Sequence, residues 1–147
     1  MNQEIKKITS CGILFFENNQ LLMCHPTGHN NDEWDLPKGC MDESETYINA
    51  AIRECFEETG FICHPDNLID LGMHEYQSHK DLYLFKHTDN HAFKLEEAVC
   101  NSQFLCKKTN HWLPEHDDFA YFSFDEVLNR ACKQLRTVLS LHLKLNC

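Results

Sequence analysis

Between Gly39 and Phe61 the chain crowds six carboxylates, Asp42, Glu43, Glu45, Glu54, Glu57 and Glu58, into 23 residues. This stretch constrains the fold more than any other, because it also carries the marks of a helix. The spacing predicts a helix over residues 45–59, with Ile48, Ala51, Ile52 and Cys55 as one apolar stripe and Glu54, Glu57 and Glu58 as a separate one. Gly60 suits the left-handed position just past its end, and Phe61 is expected to pack back on Phe56 in a Schellman ending. Like charges three and four apart on a helix cost a few tenths of a kcal/mol per pair. The carboxylates therefore either face water or surround something positive.

Around this helix the pattern is mainly of strands. "ITSCGILFF" and "LLMCHP" flank "ENNQ" and read as two strands joined by a tight Asn-Asn turn. "HPTGHNNDEWDLPKG" reads as a long polar loop. "LIDLGMHEYQ", "DLYLFKH", "SQFLCKK" and "FAYFSF" supply further strands. Ser123 with Glu126 forms a capping-box start, and Val127, Leu128, Ala131, Leu135, Val138 and Leu139 mark one final helix. That order predicts an α/β fold, a mixed sheet covered by helices on its faces. Residues 1–147 make a single domain of ordinary size.

Composition narrows the function. The formal charge of −10 argues against a nucleic-acid partner, since such binding rests on neutralising phosphates. It leaves room for a small anionic substrate if metal ions invert the local sign. No apolar run approaches the roughly 20 residues that span a bilayer, and no signal peptide is evident, so the expected address is the cytoplasm. The nine cysteines form no Cys-x-x-Cys pair, and reduced thiols in a reducing compartment account for them. His25 and His29, and His87 and His91, share a His-x3-His spacing but lie in turn-like sequence, a poor setting for zinc.

An acidic helical face is most often simply solvated. Here the acids fall within one turn, Arg53 adjoins them and can orient one by a charge-assisted bond, and the Gly-containing "LPKG" loop enters just before. Two unit negative charges about 4 Å apart repel by roughly 4 kcal/mol at an effective dielectric near 20; a divalent ion removes that cost. Oxygen ligands without Cys or His favour Mg²⁺, with Mn²⁺ as a substitute.

Gly39, Glu45, Arg53, Glu54, Glu57, Glu58 and Gly60 match every fixed letter of the pattern G-x5-E-x7-R-E-[ILV]-x-E-E-x-G-[ILV]. The chain thereby resembles the Nudix hydrolases. Cys55 and Phe61 replace branched aliphatics, and Ser44 stands where many members have Gly. The resemblance implies an α/β/α sandwich with a loop–helix–loop motif, and hydrolysis of a pyrophosphate bond in a nucleoside diphosphate linked to another group. It implies Glu54, Glu57 and Glu58 as metal ligands, joined by the Gly39 carbonyl, with Glu45 acting through water. Arg53 would hold a glutamate of the set. Glu54 is the first candidate for the base that activates water and Glu115 the second; a solvated loop residue is the alternative reading for Glu115.

Specificity is less constrained. "WDLPKG" is similar to the run before this motif in asymmetric dinucleoside-tetraphosphate hydrolases. By that likeness Lys38 would meet a phosphate and Trp34 would stack on a base, against readings as a solvated Lys and a packed Trp. Tyr76 lies sixteen residues after Gly60, a region where aromatic residues accompany some polyphosphate-cleaving subfamilies, and it joins the candidate substrate contacts on that likeness. The expectation is therefore a nucleoside polyphosphate or dinucleoside polyphosphate. ADP-ribose, a nucleotide sugar, or nucleotide sensing without turnover are the alternatives. Whether the chain is a monomer or a homodimer is left open.

Overall fold

The computed structural model describes residues 7–143; Cys147 of the thiol count lies outside the described residues. Strand β1 (Ile8–Leu14) runs down the middle of a four-stranded sheet. It pairs antiparallel with β4 (Lys38–Cys40) and parallel with β6 (Lys80–His87), and β6 pairs antiparallel with β5 (Leu68–Gln77). A second sheet joins β2 (Phe16–Glu17), β3 (Gln20–Pro26) and β9 (His116–Ser123), all antiparallel. Asn18 and Asn19, with φ of 49° and 62°, make the two-residue turn from β2 to β3. Asn tolerates that left-handed geometry, and its twist matches the flanking strands.

Alternation along β1 divides the core into two layers. Cys11, Ile13 and Phe15 point to one side, where they meet Ala50, Ala51 and Cys55 of helix α1 (Tyr47–Thr59). Leu14 and Phe16 point to the other, where they join Val127 of α2 (Phe124–Arg130) and Leu135, Val138 and Leu139 of α3 (Lys133–Leu143). Burial on both faces explains the near-continuous apolar run of this strand. Helices on both sides of one mixed and one antiparallel sheet make the expected α/β/α sandwich.

Several local expectations are corrected. Helix α1 begins at Tyr47 because Thr46 caps it, its side chain accepting from the Asn49 N–H. Its end is a simple left-handed cap, with Gly60 at φ 78° donating to the Phe56 carbonyl, not a Schellman ending. Phe61 turns away from the half-exposed Phe56 and meets Phe15 at 5.1 Å and Phe93 at 5.6 Å between ring centroids. The final helix is two. Ala131 is extended (ψ 149°), and the preceding Arg130 carbonyl accepts the Trp34 N–H from the long loop. Each half keeps its own apolar face on the core, so the spacing alone could not reveal the break. The segment just before Glu115, read as a loop residue, is strand β8 (His111–Pro114), which forms a separate hairpin with β7 (Gln103–Cys106). Among the described residues all eight cysteines are free, and no helix is long and apolar enough to cross a membrane.

Candidate active site

Strand β4 brings Gly39 opposite Cys11 and under helix α1. A Cβ at Gly39 would lie 2.0 Å from Glu54 Oε2, so glycine here is what lets the Glu54 carboxylate rest against the backbone. The φ of Gly39 is ordinary; the requirement is for space.

Arg53 ties the acidic side chains together. Its Nε and Nη2 each donate to Glu45 at 2.8 Å, a two-pronged bond, and Nη1 donates to Glu54 at 2.9 Å and to Glu57 at 3.1 Å. Nη2 also reaches the Cys40 carbonyl at 3.1 Å, tying α1 to the end of β4. The planar fork suits such multiple bonds. Hydrogen bonds from Arg53 hold the Glu45 carboxyl at about 2. Burial, with Glu58 and Glu57 nearby, pushes Glu54 up to about 7 despite the pull of Arg53.

The three glutamates do not share one face as the helical stripe suggests. The Glu57 side chain is 40% exposed, Glu54 13% and Glu58 2%. Glu58 turns inward, because the start of β9 and the start of β4 close over the last turn of α1. It accepts the Lys38 backbone N–H at 3.3 Å and meets His116 Nε2 at 2.6 Å. Burial raises the Glu58 carboxyl. Burial alone would lower His116, and the hydrogen bond and charge of Glu58 more than reverse this.

Glu58, Lys38, Glu115 and His116 line one cleft of about 460 Å³, with Thr27 and Phe104 among its other walls. Glu115 joins β8 to β9 and is pinned by its backbone, its N–H to Ser102 and its carbonyl to Thr27, both at 3.0 Å. It thus stands at the same cleft as Glu58. The Lys38 ammonium is not solvated: it bonds Asp35 at 3.0 Å and lies 5.6 Å from the Tyr76 ring centroid. Burial opposes its charge, and Asp35 more than offsets this. Trp34 and Tyr76 are each only 9% exposed and belong to the core. Trp34 makes a T-shaped contact with Phe122 at 4.8 Å and donates to the Asn31 carbonyl at 2.7 Å. The loop closes onto β9 there, which loop composition could not foretell. Tyr76 instead backs Lys38, with its hydroxyl 3.7 Å from Cys132 Sγ.

His116 and Thr27 are the cleft residues that sequence reasoning misses. The only signal is the run "PEHDD", where the acid next to His116 draws the attention. In the first His-x3-His pair the rings bond other side chains, His25 to Asp117 at 2.5 Å and His29, which also lines the cleft, to Glu33 at 2.8 Å.

Among the described residues no three His, Cys, Asp or Glu side chains are gathered as a metal cage. Arg53 and His116 hold the carboxylates that a cation would compete for. The donor set nonetheless fits a hard divalent ion. Glu54, Glu57, Glu58 and the Gly39 carbonyl supply only oxygen, and the missing Cβ of Gly39 keeps two of them adjacent.

A family model described as the NUDIX domain matches residues 6–141. The chain belongs to the NUDIX family. A 17.7 kDa protein from the e-segB intergenic region of Enterobacteria phage T4 is 42% identical over 130 residues, covering 80% of this chain and 84% of that protein. The solution structure of the E. coli ORF135 protein matches with a TM-score of 0.70 at 17% identity, covering 97% of this chain and 93% of that one. A Francisella tularensis bifunctional NMN adenylyltransferase/ADP ribose pyrophosphatase, complexed with AMP and a Mn ion, matches with a TM-score of 0.63 at 18% identity. It covers 97% of this chain and 43% of that one. At such identities the two structures speak to the fold alone. This NUDIX protein is a pyrophosphohydrolase acting on nucleoside diphosphate derivatives, in a family that generally uses divalent cations.

Proposed function

We propose that the chain is a Mg²⁺-dependent pyrophosphohydrolase of the cytoplasm, folded as one domain over residues 1–147, that cleaves a nucleoside polyphosphate or dinucleoside polyphosphate. The observation that carries the reading is the Arg53 knot: one guanidinium binds Glu45, Glu54 and Glu57 beside Gly39. A solvated acidic face has no need of such an arrangement.

A phosphoanhydride repels nucleophiles because its oxygens are negative. A divalent cation, Mg²⁺ or Mn²⁺, held by Glu54, Glu57, Glu58 and the Gly39 carbonyl would neutralise that charge and make an attacking water more acidic. Arg53 holds Glu54 and Glu57 in register, so their reorganisation during reaction is small. Glu54 is assigned as the base that takes the water's proton, with Glu115 the alternative from across the cleft. Lys38 presents an ammonium to a phosphate of the substrate, oriented by Asp35 and backed by Tyr76.

One observation favours a second reading. Among the described residues Lys38 is the lone Lys or Arg lining the cleft, and Asp35 already neutralises it. That suits a substrate with fewer charges, such as ADP-ribose or a nucleotide sugar. A panel of nucleoside triphosphates, dinucleoside polyphosphates, ADP-ribose and nucleotide sugars, assayed with Mg²⁺ and with Mn²⁺, separates the two. Preferred cleavage of polyphosphates supports the first reading; preferred cleavage of ADP-ribose or a sugar nucleotide supports the second. Tight nucleotide binding with no product released would replace both with a sensor.

A further inference from the structure

Among the described residues two buried side-chain polar atoms lack a hydrogen-bond partner, Thr27 Oγ1 and His116 Nδ1. Native proteins hold few such atoms, and each calls for an explanation. These two line the same cleft, together with Glu58 and Lys38. They are also neighbours in the fold. The β3–β9 ladder slips register between His25 and Pro26 and ends with Pro26 opposite His116, and the Thr27 N–H donates to the Glu115 carbonyl at 3.0 Å. The ladder thus brings Thr27 and His116 to one end of the cleft, which Glu58 and Lys38 also line.

Their chemistry narrows the ligand. Glu58 occupies Nε2 of His116 at 2.6 Å, so only Nδ1 remains to meet a substrate. A neutral ring bonded this way accepts at Nδ1, and a protonated ring donates there. A phosphate oxygen only accepts, so it serves just one of those states. A hydroxyl donates and accepts, so it serves both states, and it complements the Thr27 hydroxyl equally well. Two unpaired groups on neighbouring residues of one cleft suit a ligand that carries a pair of hydroxyls. Phe104, on another wall of the cleft, offers an apolar ring to the flat group such a sugar carries.

We propose that Thr27 Oγ1 and His116 Nδ1 receive the ribose hydroxyls of the substrate's nucleoside portion, making this pair the determinant of ribonucleotide over deoxyribonucleotide preference. The inference rests on the reading of the substrate as a nucleoside diphosphate derivative and deepens it.

The test is calorimetric titration of the full chain, with Mg²⁺, using ADP and GDP and their 2′-deoxy and 3′-deoxy counterparts. The wild type should bind at least one deoxy form about tenfold more weakly than the ribo form, the size of one lost hydrogen bond. Thr27→Val keeps shape and removes the hydroxyl. It should weaken the ribo form by a similar factor and lose the discrimination at one hydroxyl position, and Thr27→Ser should restore both. Ribo and deoxy forms bound within twofold by the wild type, unchanged ribo affinity in Thr27→Val, or no binding of either diphosphate would each overturn the proposal. Should Thr27→Val not fold, the wild-type comparison still decides. Failure of the broader reading shows separately, as absent hydrolysis of any pyrophosphate bond while the titrations report on the hydroxyl pair.

Discussion

Replacing Gly39 with alanine separates space for the Glu54 carboxylate from stability of the fold. The added Cβ would sit 2.0 Å from Glu54 Oε2, against the 3.4 Å at which ordinary contact begins, so the carboxylate must retreat by about 1.4 Å. The backbone itself accepts alanine, because φ at Gly39 is not left-handed and the residue lies in β4 opposite Cys11. Fewer accessible states of the unfolded chain stabilise the variant by about 0.4–1 kcal/mol. Loss of the bond from Arg53 to Glu54 opposes this by about 1.5–3 kcal/mol if it is not remade. The net destabilisation is therefore about 0.5–2.6 kcal/mol. A displacement near 1 Å in a positioned catalytic group costs about 10²-fold in rate. Gly39→Ala should thus melt within several degrees of the wild type by circular dichroism, lose about a hundredfold in kcat/KM, and bind Mn²⁺ at least tenfold more weakly by calorimetry. Activity within threefold of wild type, with Mn²⁺ affinity unchanged, would refute the placing of Glu54.

Glu54→Gln and Glu58→Gln should each lower turnover by orders of magnitude while leaving the circular dichroism spectrum intact; full activity in both would remove the proposed site. Glu115→Gln separates the two base candidates in a steady-state assay, a small effect returning the role to Glu54 and a loss of several hundredfold moving it to Glu115. Cys55 is fully buried, with Cys63 Sγ 3.9 Å from its sulfur, so Cys55→Ile should cost about 1–3 kcal/mol by overpacking yet leave kcat of the folded protein nearly unchanged. Arg53 holds the Glu45 carboxyl at about 2 against an ordinary 4.5, so its stabilisation is complete above about 4.5 and is lost as pH falls toward 2. Glu45→Gln should flatten that part of the stability–pH curve measured by urea unfolding, and an unaltered acid limb would contradict the assignment.

What could be read from the sequence was whatever is local or stereochemically forced. Asn18–Asn19 allows one tight turn, Gly60 ends α1, and Ser123 caps α2 through the Glu126 N–H at 3.4 Å. What escaped depends on partners distant in sequence. A helical wheel places Glu58 beside Glu54, but the closing of β9 over α1 buries it against His116, 58 positions away. Trp34 lies in polar sequence, yet Phe122 on β9 draws it into the core. The same stripe describes one straight helix or the α2–α3 pair, and only the Trp34 bond to the Arg130 carbonyl decides between them. His116 and Thr27 carried no spacing signal, because their meeting is made by the β3–β9 ladder.

The mechanism stands on the glutamates that follow Arg53 holding a divalent ion. The decisive measurement is anomalous diffraction from crystals of the full chain grown with Mn²⁺ and a nucleoside diphosphate. A manganese peak is expected in contact with Glu54 and Glu58 and with the Gly39 carbonyl, absent when Glu54→Gln is crystallised the same way. A peak elsewhere on the protein, or none while Arg53 still binds Glu54 and Glu57, would contradict it.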